Sequence, residues 1–505
     1  MKRLLLITFL ITAPCYTQVT LQTWTEVYGT VNGQRLGQFV LGIKPTSNLP
    51  YRAAVSKNGS TSFFRLQTPT DTSAQLILQG ENPLVGDLNN DGYQDVVGRT
   101  TVSVWDTVLL YWGTPTGIDT LNPLVIHSEN QYDELMPACI GDINNDGKSD
   151  LILSAVGYPG GFTKGKVYIY INPVISNVPD TVILGDSTGY GLGTNCVIGD
   201  LNQDGFNDLA VRGYKVDNFN YVNIYYGSEV GRVNLELHNK LQSPYATAGS
   251  GLACFDVNGD EIADLLWTNG NSGNWVYVHY GSNNFSTLPS LKLKNPGVAN
   301  FGSVIINAGD MNGDGYDDVA VGAYDANITS GFVFIFGGGQ KIDSTFDAAV
   351  GMSSESFFGY SISSVGDING DGLADIVVGA PNYAFANEKG YWGIFLGDTA
   401  IHVTDVKDES PLPQVFYLYQ SYPNPFNPKS TIKYQLNESA FINLEVFNML
   451  GQKISLLVDK FQLPGEYEAV FNGSQLSTSV YLYKLTAKTN KGNIYTDTKK
   501  LTLIK

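Results

Sequence analysis

One motif recurs six times at a nearly fixed interval, and that recurrence limits the folds open to this chain. It reads "GDLNNDGYQD" from residue 86, "GDINNDGKSD" from 141, "GDLNQDGFND" from 199, "FDVNGDEIAD" from 255, "GDMNGDGYDD" from 309 and "GDINGDGLAD" from 366. The first aspartates are Asp87, Asp142, Asp200, Asp256, Asp310 and Asp367, so successive copies lie 55, 58, 56, 54 and 57 residues apart. A fixed period of this size marks a solenoid, a propeller or an array. Each acidic run leads into a short apolar strand such as "DLILSA" or "DVAVGA". An aromatic-rich alternating strand follows, such as "KVYIYIN" or "FVFIFGG", and then a more polar one. Short strands separated by Gly, Asn and Asp turns are all-β patterning. Four-stranded units repeated radially make a β-propeller, which leaves only short, protected edges.

Counting units gives the expected fold class: all-β, a seven-bladed β-propeller followed by a small Ig-like β-sandwich. Residues 18–400 have room for seven units, although only six carry the acidic motif. The stretch 32–80 contains "LGQFVLGIK", "YRAAVSKNG", "TSFFRLQ" and "AQLILQG", four strand-like runs without acids, and is expected to be the seventh unit. The earlier run "LQTWTEVYG" (21–29) is expected to pair with the last unit and close the ring.

The motif places oxygen-bearing side chains at alternate positions of a tight turn. Like charges held this close repel. A hard cation relieves that repulsion, and calcium takes six to eight oxygen ligands from carboxylates, carboxamides and carbonyls. The candidate ligands in the first loop are Asp87, Asn89, Asp91, Asp95 and the carbonyl of Tyr93; in the second they are Asp142, Asn144, Asp146, Asp150 and the carbonyl of Lys148. The third loop offers Asp200, Asn202, Asp204, Asp208 and Phe206, and the fourth Asp256, Asn258, Asp260 and Asp264. The fifth offers Asp310, Asn312, Asp314, Asp318 and Tyr316, and the sixth Asp367, Asn369, Asp371, Asp375 and Leu373. Up to six Ca²⁺ ions are expected. The start of each loop is like that of an EF-hand, but that motif needs a bidentate Glu at its twelfth position and flanking helices. Here Val378 stands at the twelfth position of the sixth loop, inside an apolar strand. Five loops have glycine at position six, where a sharp turn needs positive φ. The fourth has Glu261 there, so a weaker site or a different turn is expected.

With the preceding "FGSVIINAGD" (301–310) and "FFGYSISSVGD" (357–367), these loops resemble FG-GAP repeats, found in the propeller of integrin α-subunits and in many bacterial repeat proteins. Phe301, Gly302, Phe358 and Gly359 match the first half of that name, and Ala323 and "GAP" at 379–381 the second. Earlier copies, with "YGLG", "GSGLA" and "LMPA", diverge. The resemblance implies a calcium-stabilised propeller with a binding role and no active site.

The net charge of −18 argues against nucleic acid as a partner, because such proteins need clustered Lys and Arg. The segment "MKRLLLITFLITAPCYTQ" has a basic start and an apolar core too short to span a membrane. It reads as a signal peptide over 1–17, cleaved before Gln18. No other stretch reaches transmembrane length. After the polar linker 401–415, residues 416–505 alternate as a β-sandwich would. "YPNPFNP", "VFNMLGQKI", "VYLYKL" and the final basic-apolar strand resemble the type A sorting domain of the type IX secretion system. That resemblance implies export by this machinery to a secreted or surface-attached location.

Cys139, Cys196 and Cys254 each fall two to four residues before the first aspartate of their own loop, and so are expected on the same strand of three successive units. Buried thiols in equivalent core positions are expected. A disulfide between neighbours is the alternative if that strand lies near the channel. His127, His238, His279 and His402 fall in unrelated contexts.

The expected function is a calcium-binding propeller that binds a glycan or a protein partner. In the family that these repeats resemble, the calcium loops lie on one face of the propeller and the loops after the second strands on the other; here those latter loops carry Trp105, Tyr158, Phe162, Tyr214, Phe219, Tyr324, Tyr383 and Phe385, which suit recognition if exposed and packing between units if not. The alternatives are a propeller-type polysaccharide lyase or hydrolase and a structural surface-layer component. No Ser-His-Asp or HExxH signature supports an enzyme, and fold alone does not decide.

Overall fold

A computed structural model describes residues 19–504, apart from 30–34, 48, 51, 58, 71, 103–104, 162–163, 175, 186–189, 216–218, 228–236, 247–249, 270–274, 325–330, 341, 353–356, 382–388, 402–415, 419–420, 422, 437–439, 449–451, 463–464 and 490–493. The expected signal peptide and nearly all of the expected linker lie outside the described residues. Among the described residues every regular element is a strand, and no helix is long and apolar enough to cross a membrane. The chain divides into two compact units, Met1–Lys407 and Asp408–Lys505.

Among the described residues, the first unit holds seven antiparallel sheets of four consecutive-neighbour strands. The first is Val40–Gly42, Ala53–Lys57, Ser60–Phe64 and Leu76–Gln79, formed by the stretch without an acidic motif. The second is Glu81–Gly86, Asp95–Val102, Trp105–Tyr111 and Leu124–His127. The third is Leu135–Gly141, Asp150–Ala155, Lys166–Tyr170 and Thr181–Leu184. The fourth is Tyr190–Gly199, Asp208–Lys215, Phe219–Tyr225 and Leu237–Ala246. The fifth is Leu252–Phe255, Asp264–Asn269, Trp275–His279 and Leu291–Leu293. The sixth is Val304–Gly309, Asp318–Ala323, Gly331–Phe336 and Ala348–Met352.

The seventh sheet takes Ser361–Gly366, Asp375–Ala380 and Tyr391–Phe395 from the end of the unit and its fourth strand, Thr23–Tyr28, from the beginning. Thr25 pairs with Ile394 and Tyr28 with Tyr391, as expected from the early aromatic strand. Val19–Thr20 adds a parallel pairing with Ala348–Ala349 of the sixth sheet, which the sequence had not suggested. The amino-terminal segment therefore fastens two sheets.

Packing follows the same order. Separate apolar clusters lie between each pair of successive sheets, from the first and second through the sixth and seventh. Another joins the seventh to the first, with Val377, Trp392 and Ile394 against Val40, Val55 and Phe64. The innermost strands touch in the same cyclic order. This is the arrangement of a β-propeller. Middle strands such as Asp150–Ala155 and Tyr391–Phe395 are buried along their whole length, which is why they read as continuous apolar runs. Outer strands such as Thr181–Leu184 keep alternate residues exposed.

The "FG" pairs have a mechanical reason. Phe301 and Phe358 are buried in the clusters on either side of the sixth sheet. Gly302 and Gly359 follow at φ 81 and 82. A Cβ on Gly359 would lie 2.5 Å from the Phe332 carbonyl oxygen, so only glycine fits.

The second unit is a β-sandwich. One sheet is Phe416–Leu418, Lys429–Leu436 and Gly465–Asn472; the other is Lys453–Gln462, Ala440–Asn448, Ser479–Thr489 and Ile494–Leu503. Its core includes Ile432, Tyr434, Leu444, Tyr483 and Leu501. The "YPNPFNP" segment binds the unit's ends together. Phe426 is buried against Phe471, and the Asn424 side chain accepts from the Thr502 N–H at 2.8 Å.

Candidate functional site

Each acidic motif joins the innermost strand of a sheet to the next strand, and all six adopt one hydrogen-bonded turn. In the sixth loop, the Asp367 carboxylate accepts from the N–H groups of Gly370, Asp371 and Gly372 at 2.6, 3.2 and 2.9 Å. Asn369 Oδ1 accepts from Asp371 N–H at 3.0 Å, and Asp371 Oδ1 from Leu373 N–H at 2.9 Å. Asn369 Nδ2 donates to Asp371 Oδ2 at 2.8 Å. Side-chain oxygens of positions one, three and five thus each accept from a backbone N–H of the same turn. The first, second, third and fifth loops repeat the bond from the glycine N–H to the first aspartate at 2.9, 2.8, 2.9 and 2.9 Å.

The ninth-position aspartates have a part that the spacing did not reveal. Asp95, Asp150, Asp208, Asp264, Asp318 and Asp375 are fully buried. Each accepts two backbone N–H groups, one from its own loop and one from just beyond the third strand of its sheet. For Asp318 these are Met311 at 2.9 Å and Gly338 at 2.8 Å; for Asp375 they are Ile368 at 2.8 Å and Gly397 at 2.9 Å. Burial pushes Asp95, Asp150 and Asp375 up to about 6 and Asp208, Asp264 and Asp318 up to about 7, with the first and fifth aspartates of the loop adding to the rise.

Of the two alternatives expected for the fourth loop, the different turn is not found. Its turn is the same as the others: Glu261 N–H donates to Asp256 Oδ2 at 2.7 Å, and Ile262 N–H to Asp260 Oδ1 at 3.0 Å. Glu261 takes φ 65, in the left-handed region occupied by Gly92, Gly147, Gly205, Gly315 and Gly372 at φ 82 to 92. The hydrogen-bond frame holds the residue there despite its side chain. A second left-handed position, the fourth, is filled by Asn90, Asn145, Gln203, Gly259, Gly313 and Gly370. Asn and Gly tolerate this conformation best.

The loops also connect neighbouring sheets. The first aspartate's main-chain oxygen accepts from the following sheet in five cases. Asn172 Nδ2 reaches Asp87 at 2.7 Å, Asn207 Nδ2 reaches Asp142 at 2.8 Å, and Ala263 N–H reaches Asp200 at 3.2 Å. Ala374 N–H reaches Asp310 at 2.7 Å, and Arg52 Nη1 reaches Asp367 at 3.0 Å across the ring closure.

Among the described residues, no three His, Cys, Asp or Glu side chains are gathered as a metal site, because the loop carboxylates turn to their own N–H groups. The donor set is nonetheless all oxygen and bears a carboxamide between two carboxylates, which suits a hard cation. The buried ninth aspartate, crowded by two further acids, fits the same chemistry.

The aromatic residues expected at the opposite loops differ in setting. Trp105 is exposed. Tyr158 is half-buried, with Lys166 Nζ 4.6 Å from its ring centre, and Tyr214 is half-buried with its hydroxyl lacking a partner among the described residues. Tyr324 packs at a tilt against Phe357 and Tyr360, at centroid distances of 5.6 and 5.0 Å. Phe357 and Tyr360 were missed in the sequence because they precede an innermost strand rather than follow a second one. Phe162, Tyr383 and Phe385, and the side chain of Phe219, lie outside the described residues. His127 sits beside Thr107 and His279 is buried beside Trp267; His402 and the side chain of His238 lie outside the described residues.

Comparison with known proteins agrees with this geometry. The family described as FG-GAP-like repeat matches residues 87–153 and 256–321, and the FG-GAP repeat matches 358–391. The family described as secretion system C-terminal sorting domain matches 420–501. Integrin alpha-4 of Xenopus laevis is 28% identical over 48% of this chain and 25% of its own length. Integrin alpha-5 of the same organism is 27% identical over 54% of this chain and 27% of its own length. Phosphatidylinositol-glycan-specific phospholipase D of Mus musculus is 32% identical over 25% of this chain and 17% of its own length. The chain thus spans about a quarter or less of these relatives. Its first unit carries FG-GAP repeats of the integrin-alpha kind on a β-propeller, and its second is a type IX secretion sorting domain, which implies secretion or attachment at the outer-membrane surface.

Proposed function

We propose that this chain, after removal of residues 1–17, is a calcium-binding propeller that recognises a glycan or a protein partner outside the cell and is not an enzyme. The observation that carries the binding role is the half-buried trio Tyr324, Phe357 and Tyr360. Tyr324 follows a second strand and the other two precede a first strand, so all three lie at the ends of the sheets away from the acidic loops. Aromatic faces there offer area to a sugar ring or an apolar side chain at low entropic cost. Calcium would be held by the first, third, fifth and ninth side chains of each loop and by the seventh carbonyl. Its chemistry there is the neutralisation of crowded carboxylates.

The test is a glycan and protein array probed with the mature chain in Ca²⁺, run beside a hydrolase and lyase screen. Binding that is lost in Tyr324→Ala and Tyr360→Ala, without turnover, is the expected result. Turnover of a polysaccharide or of a phosphatidylinositol-glycan anchor would replace this reading with an enzymatic one, for which the similarity to the mouse phospholipase is the supporting observation. Deleting residues 416–505 should leave the truncated protein in the periplasm; normal surface delivery would remove the export step from the proposal.

A further inference from the structure

Cys139 and Cys196 come together at the interface of the third and fourth sheets, on their innermost strands. Their sulfur atoms are 2.8 Å apart, although 57 residues separate them in the chain. This is closer than the sulfur atoms of two unbonded thiols normally pack, and within a small rearrangement of the roughly 2.0 Å bond. Side-chain alternation explains which thiols meet. Cys139 lies three residues before Asp142, an odd offset, whereas Cys196 and Cys254 lie four and two residues before Asp200 and Asp256. Successive side chains on a strand point to opposite faces. Cys139 therefore faces forward to the fourth sheet and Cys196 backward to the third. Cys254 also faces backward and packs with the cluster between the fourth and fifth sheets, with its sulfur against Gly199.

We propose that Cys139 and Cys196 form a disulfide that staples the third sheet to the fourth, and that Cys254 remains a thiol. The sorting domain directs the chain out of the reducing cytoplasm, into compartments where disulfides persist. Access is available on one side. Cys196 is buried, whereas Cys139 is part-exposed and lines a cavity of about 420 Å³ with Leu41, Leu84, Ala138 and Ile140 from three innermost strands. The Cys139 thiolate attacks a disulfide oxidant, either oxidised glutathione or a protein dithiol–disulfide exchanger, and expels one thiolate. The Cys196 thiol, having lost its proton, then attacks Cys139 sulfur and expels the second. Two protein thiols and one oxidant disulfide thus become one protein disulfide and two oxidant thiols.

The experiment incubates the folded full-length chain with oxidised glutathione, alkylates all accessible thiols under denaturing conditions, and maps peptides without reduction. The expected map shows a Cys139–Cys196 linked peptide that disappears on reduction, with Cys254 alkylated. In Cys139→Ser the Cys196 peptide should not link to Cys254, since that pair faces the same way. Recovery of Cys139 and Cys196 both alkylated after oxidation, or linkage of Cys254 to either, would overturn the proposal. The parent map needs no variant to fold.

Discussion

Replacing Glu261 by glycine should stabilise the propeller even when no calcium is present. Glu261 holds φ 65 at a position where the other five loops place glycine at φ 82 to 92. A side chain in that region costs about 1–2 kcal/mol, because its Cβ crowds the backbone. Glycine removes this cost but enlarges the unfolded ensemble, which takes back about 0.4–1 kcal/mol. The difference is a gain of roughly 0.5–1 kcal/mol. The hydrogen bond from position 261 to Asp256 Oδ2 is made by the backbone and survives the change. Glu261 is exposed, so no packing is lost. Urea unfolding in EGTA, read by tryptophan fluorescence, measures the effect; Glu261→Ala serves as control, because it keeps the Cβ. Glu261→Gly should shift the midpoint upward and Glu261→Ala should not. If the two variants match, backbone strain is not what separates the fourth loop from the others. If Glu261→Gly lowers the midpoint, the glutamate side chain itself supports the loop.

Three further outcomes follow from the same geometry. EGTA should lower the melting temperature and Ca²⁺ restore it, with each occupied site adding about 2.7 kcal/mol at a hundredfold excess over its dissociation constant, while Mg²⁺ substitutes poorly; an unchanged melt would count against calcium at the loops. Asp318→Ala should destabilise the calcium-free protein by about 2–4 kcal/mol, since it leaves the Met311 and Gly338 N–H groups buried without acceptors, whereas Asp314→Ala, at an exposed position, should cost under about 1 kcal/mol by urea unfolding. Burial lowers His279 to about 4, and its Nε2 accepts from Trp267 Nε1 at 3.0 Å. The folded state therefore resists a proton that the unfolded chain accepts from pH 6.5 downward. The contribution of His279 is fully present above that pH, is lost as pH falls toward 4, and amounts to roughly 3 kcal/mol. A pH–stability profile of His279→Gln that falls as steeply as the parent's between pH 6.5 and 4 would refute this.

The repeat was legible because its chemistry is local. A carboxylate or carboxamide at every second position, followed by glycine in five of the six copies, needs no tertiary context to be read as a turn, and six copies fix the register of the sheets. The unit without acids and the closing strand Thr23–Tyr28 were legible for the same reason, since alternation and length define a strand by themselves. What the sequence concealed depends on partners far along the chain. Asp95 and its counterparts look like the other loop acids, yet Gly113, eighteen residues later, makes Asp95 a buried acceptor. Phe357 belongs to the Tyr324 cluster only because two sheets meet there. The opposed directions of Cys139 and Cys196 are written in their odd and even offsets from Asp142 and Asp200, but strand position alone does not show them.

These two kinds of aspartate divide the work of the loop. The ninth ties its own sheet together, accepting from the loop and from beyond the third strand, and it does so while fully buried. The first folds its side chain into the turn and offers its main-chain oxygen to the next sheet in five of the six loops. A change in the turn is therefore felt by two sheets. A repeat unit that cannot bury its apolar faces alone depends on its neighbours, and here the acidic turn is a polar joint beside that apolar contact. The first sheet lacks such a turn, but Arg52 within it reaches the Asp367 main-chain oxygen of the seventh sheet's loop. The closing interface thus has the same kind of joint, made by a side chain. In the proposed calcium-bound state, neutralising the Asp367 turn would stiffen the place where the two ends of the ring meet. Loss of that ion would loosen the ring first at its closure, where the fourth strand, Thr23–Tyr28, comes from the opposite end of the unit.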